Sequence, residues 1–176
     1  MDTHEKSKKR LEYIAKLTKR ILGAGTVILI LAQFVRPDRS NPPVDPSLSL
    51  RSYPSIPPAV VERLAHSCFD CHSNETNWPW YSNLTPANFL VAHDVTTARR
   101  RMNFSEWRKH KSGRLQTFLE EIYDQVNHKE MPMKRYTLLH PEAQLSDNDI
   151  KMICDWASSE QDRLANADEA DSLAHK

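Results

Sequence analysis

The string Cys68-Phe69-Asp70-Cys71-His72 limits what this chain can fold into more than any other feature of its 176 residues. On helix-like backbone, residues three and four apart share a face, so two thiols and one imidazole converge on a single point. The fold must place that turn beside a space for whatever the three groups hold. With Cys154 the chain has three cysteines, an odd number and too few for a disulfide scaffold.

Three chemistries compete for such a string. Zinc needs four ligands, usually as two spaced pairs, and no second Cys/His pair follows; His66 and His72 are merely adjacent. A thioredoxin-like redox pair needs an α/β setting, and this chain shows no strand alternation. Covalent haem fits best: two thiols reach the two vinyl groups of one porphyrin, and His72 meets its iron. The expected cofactors are therefore one covalent haem c and its iron, with Cys68 and Cys71 as attachment points.

Organisation along the chain agrees. Residues 1–20 hold seven Lys/Arg and read as a basic cytoplasmic segment. Ile21 to Val35 then run fifteen residues without a charge, so residues 21–36 are expected to be a signal anchor or transmembrane helix. As a helix that run spans about 22 Å against a hydrocarbon core of ~30 Å, with Lys19, Arg20 and Arg36 placed to snorkel. A buried core helix is the alternative. Residues 37–57 begin the stretch Pro37–Pro58, which holds seven of the eleven prolines; it reads as a semi-rigid linker, or as extended segments along the domain surface.

The domain itself is expected over 58–157. Pro58 suits a first helical position, with Val60, Val61, Leu64, Ala65 and Cys68 at helical spacing. Thr85 and Pro86 open a second helix carrying Phe89, Leu90, His93 and Thr97. A third runs from about Ser112 to His128 on Leu115, Phe118, Leu119, Ile122 and Val126. Ser146-x-x-Asp149 caps a fourth, which buries Ile150, Ile153, Cys154 and Ala157. Residues 158–176, acidic and poor in large apolar groups, are expected to fray. The chain has three glycines, none in a hairpin dipeptide, so the reading is all-α.

Beyond the five-residue string, Ser73-Asn74-Glu75-Thr76-Asn77-Trp78-Pro79-Trp80-Tyr81-Ser82 resembles the signature of the bacterial haem-binding domain family. Further matches are Arg100-Arg101-Met102-Asn103-Phe104-Ser105-Glu106-Trp107, Glu130-Met131-Pro132, Tyr136-Thr137-Leu138-Leu139-His140-Pro141, Leu145-Ser146 and Asp155-Trp156-Ala157. The resemblance covers about residues 54–157 and implies an exported, haem-binding protein. That family often reads Met-Pro-Pro, whereas Met133 stands here in place of the second proline.

Met131 is similar in setting to the distal ligand of many small c-type cytochromes. His72 and Met131 are thus the expected iron ligands, with Met133, His93, His140 or an open position as alternatives. Trp78, Trp80 and Tyr81, directly after the ligand, are candidates for a wall over the macrocycle, or ordinary core rings. Arg99, Arg100 and Arg101 are candidates for pairing with propionates, or simply solvated.

The whole reads as an anchor helix, a proline-rich spacer and an about four-helix cytochrome-c-like domain. The expected role is single-electron transfer on the periplasmic side of a bacterial inner membrane, with redox partner proteins there or in the membrane. A haem-based sensor, a haem-carrying accessory subunit and a peroxidase-like enzyme are the alternatives. The near-neutral net charge, +1, gives no reason to expect nucleic acid.

Overall fold

The computed structural model describes residues 3–174; two residues at each end, part of the expected basic segment and of the expected tail, lie outside the described residues. Among the described residues the chain is all-α, with seven helices and no strand. They are α1 (Thr3–Ala32), α2 (Pro58–Ser67), α3 (Phe69–His72), α4 (Ala87–Arg101), α5 (Ser112–Asn127), α6 (Lys134–Thr137) and α7 (Asp147–Ala174). Two compact units divide them: residues up to 38 with 79–92, and residues 39–78 with those from 93 onward.

The first unit is built on α1, and here the membrane-anchor expectation for residues 21–36 is corrected. Among the described residues no helix is long and apolar enough to cross a membrane. The reason lies in the charges: α1 is one continuous helix that carries Lys16, Lys19 and Arg20 about its middle, leaving only its last twelve residues uncharged. Past its end the chain is tied to the start of α4. The Gln33 side chain donates to the Thr85 carbonyl at 3.3 Å and accepts the Thr85 N–H at 3.2 Å. The Thr85 hydroxyl donates to the Ala32 carbonyl at 3.2 Å rather than capping its own helix.

In the second unit α5 packs against α7 with the faces that the periodicity predicts. Leu115, Phe118, Leu119, Ile122 and Val126 of α5 are buried, as are Ile153, Cys154 and Ala157 of α7. The Ser146 box forms reciprocally: the Ser146 N–H donates to Asp149 at 2.9 Å and the Asp149 N–H to the Ser146 hydroxyl at 3.2 Å. Fully buried Trp107 centres an aromatic cluster, with Tyr53, Phe104, Phe118 and Trp156 at ring separations of 5.7–6.5 Å. Rings at such distances and tilts contribute beyond their buried area.

Residues 39–57 belong to this unit as irregular chain with turns and a short 3₁₀ helix at Leu50–Ser52. Leu50 is 0% exposed in the core, and the Arg108 N–H donates to the Leu48 carbonyl at 2.9 Å. Proline-rich chain lacks donors, so its free carbonyls are taken by donors from the domain. The Arg108 guanidinium bonds the Ser47 carbonyl, and Arg99 bonds that of Ser40.

The fraying expected over 158–176 is also corrected, because α7 continues to Ala174. Leu164 is buried, and Glu160, only 3% exposed, accepts from the Tyr53 hydroxyl at 2.6 Å and from Arg163 at 2.6 and 2.8 Å. A buried carboxylate stays charged only when so paired. Composition does not reveal this, since the partner lies 107 residues away.

Burial, and then the hydrogen bond to Glu160, push the Tyr53 phenol up to about 12. A raised folded-state value favours the neutral phenol, so its stabilisation is complete below pH ~10 and is lost as pH rises through 10 to about 12. We expect Tyr53→Phe to lower stability at neutral pH by about 1–2 kcal/mol and to flatten the decline above pH 10, measured by urea unfolding across pH.

Candidate functional site

Everything at the site follows from a break in the backbone at Cys68. Helix α2 starts on Pro58, whose missing N–H costs nothing at that position, and buries Val60 and Leu64. It ends at Cys68, which leaves helical geometry at φ −130° while its N–H still donates to the Leu64 carbonyl at 2.8 Å. The Cys68 carbonyl then accepts the N–H groups of Cys71 and His72 at 3.1 and 2.9 Å, which opens α3. Cys68, Cys71 and His72 therefore sit on one turn and line one cavity of about 240 Å³ in the second unit.

The remaining walls are mostly apolar: Leu64, Ala98, Met102, Ile122, Val126 and the loop Met131-Pro132-Met133. Burial pushes both Cys68 and Cys71 up to about 12, with Asp70 and Asp94 adding to the effect at Cys71. They are protonated thiols, unlike the low-pKa thiolate of a redox catalyst. Among the described residues no group of three or more His, Cys, Asp and Glu could hold a metal ion. The zinc reading has no site here.

His72 is oriented by its neighbour's backbone. Its Nδ1 lies 3.1 Å from the Met102 carbonyl oxygen, and because a carbonyl only accepts, Nδ1 carries the hydrogen. The Nε2 lone pair is thereby left for a ligand, the arrangement metal-bound histidines normally show. Burial holds His72 below its ordinary value, opposed by this hydrogen bond, so the neutral ring is favoured.

Behind the turn, the residues after His72 form a polar hub. The Ser73 hydroxyl donates to the Phe69 carbonyl at 2.8 Å, and the Asn74 N–H donates to the Ser105 hydroxyl at 3.0 Å. Thr76 donates to the Asp70 carbonyl at 2.7 Å, and Arg99 donates to both the Ser73 carbonyl and the Thr76 hydroxyl at 2.7 Å. Of the three consecutive arginines only Arg101 lines the cavity, paired with Glu121 at 3.0 Å.

The expected aromatic wall is not where the sequence reading puts it. Trp78 donates to the Asn41 side chain at 3.2 Å and is not among the cavity-lining residues. Trp80, 73% exposed, meets Tyr81 edge-on at 5.8 Å, and both belong to the first unit. Pro79 precedes a short 3₁₀ turn over Trp80–Asn83. Tyr136 lines the cavity instead, its hydroxyl donating to the Asp70 carboxylate at 2.7 Å. Asp70, between the two cysteines, also accepts the Asn77 N–H at 2.9 Å. Neither role was read from the sequence, although both residues lie in motifs it singled out.

Met131 is placed by the end of α5. Lys129 adopts φ 56°, the Glu130 and Met131 N–H groups both donate to the Gln125 carbonyl at 2.9 and 3.1 Å, and the Lys129 N–H donates to Val126 at 3.0 Å. This is a Schellman termination with lysine where glycine is usual. Met131, Met133 and His93 line the cavity. His140 does not; it stacks on Tyr136 at 4.4 Å and bonds Glu142.

A family model described as a haem-binding domain matches residues 27–159, three-quarters of the chain. No curated protein and no solved structure matches it.

Left-handed backbone is costly for a branched side chain, whereas glycine adopts it freely. Lys129→Val should lower stability by about 1–2 kcal/mol, whereas Lys129→Gly should match or slightly exceed the wild type. Thermal unfolding of both variants checks this.

Proposed function

The chain belongs to the haem-binding domain family, and on that premise we propose that it is a monohaem c-type cytochrome that carries single electrons outside the cytoplasm. The observation that carries this reading is the pairing of His72 Nδ1 with the Met102 carbonyl at 3.1 Å, which frees Nε2 within a cavity also lined by Cys68, Cys71 and Met131.

The residues present fit the group. A haem brings four equatorial ligands of its own and needs only axial donors from the protein, which suits a site with one oriented imidazole and a thioether. Buried Ser67, whose hydroxyl has no partner among the described residues, adds an unsatisfied polar group to the cavity wall. In this reading Cys68 and Cys71 would hold the group through thioether bonds to its vinyl carbons. When bound, the haem supplies an iron that alternates between ferric and ferrous states.

The chain's own residues set the terms of that exchange. His72 and Met131 would hold the haem iron, and a thioether there would raise the reduction potential relative to a second imidazole. Both methionines line the cavity, and Met131 is favoured over Met133 because it forms the Met-Pro pair after α5 that is similar to the ligand segment of small c-type cytochromes. The apolar walls exclude water and disfavour the extra charge of the ferric form. Export is supported by the basic start and the uncharged run of residues 21–35, and by the oxidising setting in which such cysteines are joined to haem.

Cys71→Ala made with a cytochrome c maturation system should lose most haem staining after denaturing electrophoresis; staining at wild-type level would count against double attachment. Met131→Ala should lower the potential and open a coordination position that binds carbon monoxide in the ferrous state. An unchanged spectrum would move the sixth ligand to Met133 or His93.

A further inference from the structure

The first unit carries two uncharged stretches and one strongly basic one. Residues 21–35 hold no Asp, Glu, Lys, Arg or His, and neither do the fourteen residues 79–92. The hydrogen bonds of Thr85 to Gln33 and Ala32, and that of Asn88 to the Val35 carbonyl at 3.4 Å, join the two stretches end to side. Around this junction Phe34, Val35, Trp80, Leu84, Phe89 and Leu90 are all exposed, Phe34 to 82%. Residues 6–20 add seven cations and one acid, Glu12.

We propose that this unit docks on an anionic lipid surface, with Trp80, Leu84, Phe89 and Leu90 forming part of the lipid-contacting face. An exposed apolar patch of this extent marks a contact site. A run of about 22 Å is too short to cross the ~30 Å hydrocarbon layer, but it can lie along the boundary of one leaflet. The cations complement anionic headgroups and strengthen such binding in proportion to their number. Tryptophan, with an apolar body and one N–H, favours the same boundary. A protein partner does not require fifteen uncharged residues beside seven cations, whereas a lipid surface uses both. The inference is independent of the haem reading, since none of these side chains lines the cavity.

Full-length holoprotein floated with vesicles of phosphatidylcholine, alone or with one-third phosphatidylglycerol, tests it. Binding should be at least about tenfold stronger to the anionic vesicles at low salt and should fall as salt is added. The double variant Trp80→Ser, Phe89→Ser should bind them about tenfold less, with helical content and haem staining unchanged. Should that variant misfold, Trp80→Phe serves: with brominated acyl chains it should lose the quenched part of the tryptophan emission. Equal binding to both vesicle types, or no effect of either variant, overturns the proposal. So does a lipid-free dimer that the double variant dissociates, which would assign the face to a second copy of the chain.

Discussion

A buried loop whose every polar group finds a partner holds the site together. Ser73, Asn74 and Thr76 are almost fully buried, and each hydroxyl or amide is spent on the turn before it or on the segments beside it. Arg99 closes the arrangement by reaching Ser40, Asn41, Ser73 and Thr76 with one guanidinium. An arginine so occupied fixes geometry, with four of its five donors spent on the protein. The cavity in front can therefore be apolar, because the hydrogen bonding needed to shape the turn is done behind it.

The helices that build the cavity were legible where their burial follows one period. The stripe of α5 and the capped start of α7 are local patterns: every α5 residue they nominate is buried, as are Ile153, Cys154 and Ala157 of α7, whereas Ile150 is only half-buried. Cys68, Cys71, His72 and Met131 could be nominated because their chemistry is unusual, and the fold brings all four to one cavity. What escaped the sequence depends on distant partners. The proline-rich stretch carries no sign that Leu50 has a socket, and the acidic tail no sign that Glu160 meets Tyr53. Aromatic content shows the converse: Trp78, Trp80 and Tyr81 follow His72 closely in sequence, yet none is among the cavity-lining residues.

Electrostatics at the cavity is arranged in layers. Neutral thiols and a neutral imidazole occupy its interior, where burial disfavours charge. Charges are met among the polar lining residues and are paired: Arg101 with Glu121, and Asp94 with Arg135 through two contacts at 2.9 Å. Pairs of this kind contribute little to stability when solvated.

The contact between Glu160 and Tyr53 joins two stretches that look dispensable in isolation, one rich in proline and one rich in acids. Their order is mutual. A protease that nicks either should release the other, so the two extremities of the domain behave as a single clasp. A shortened version ending near Ala157, before Glu160 and Leu164, would forfeit the strap as well as the tail.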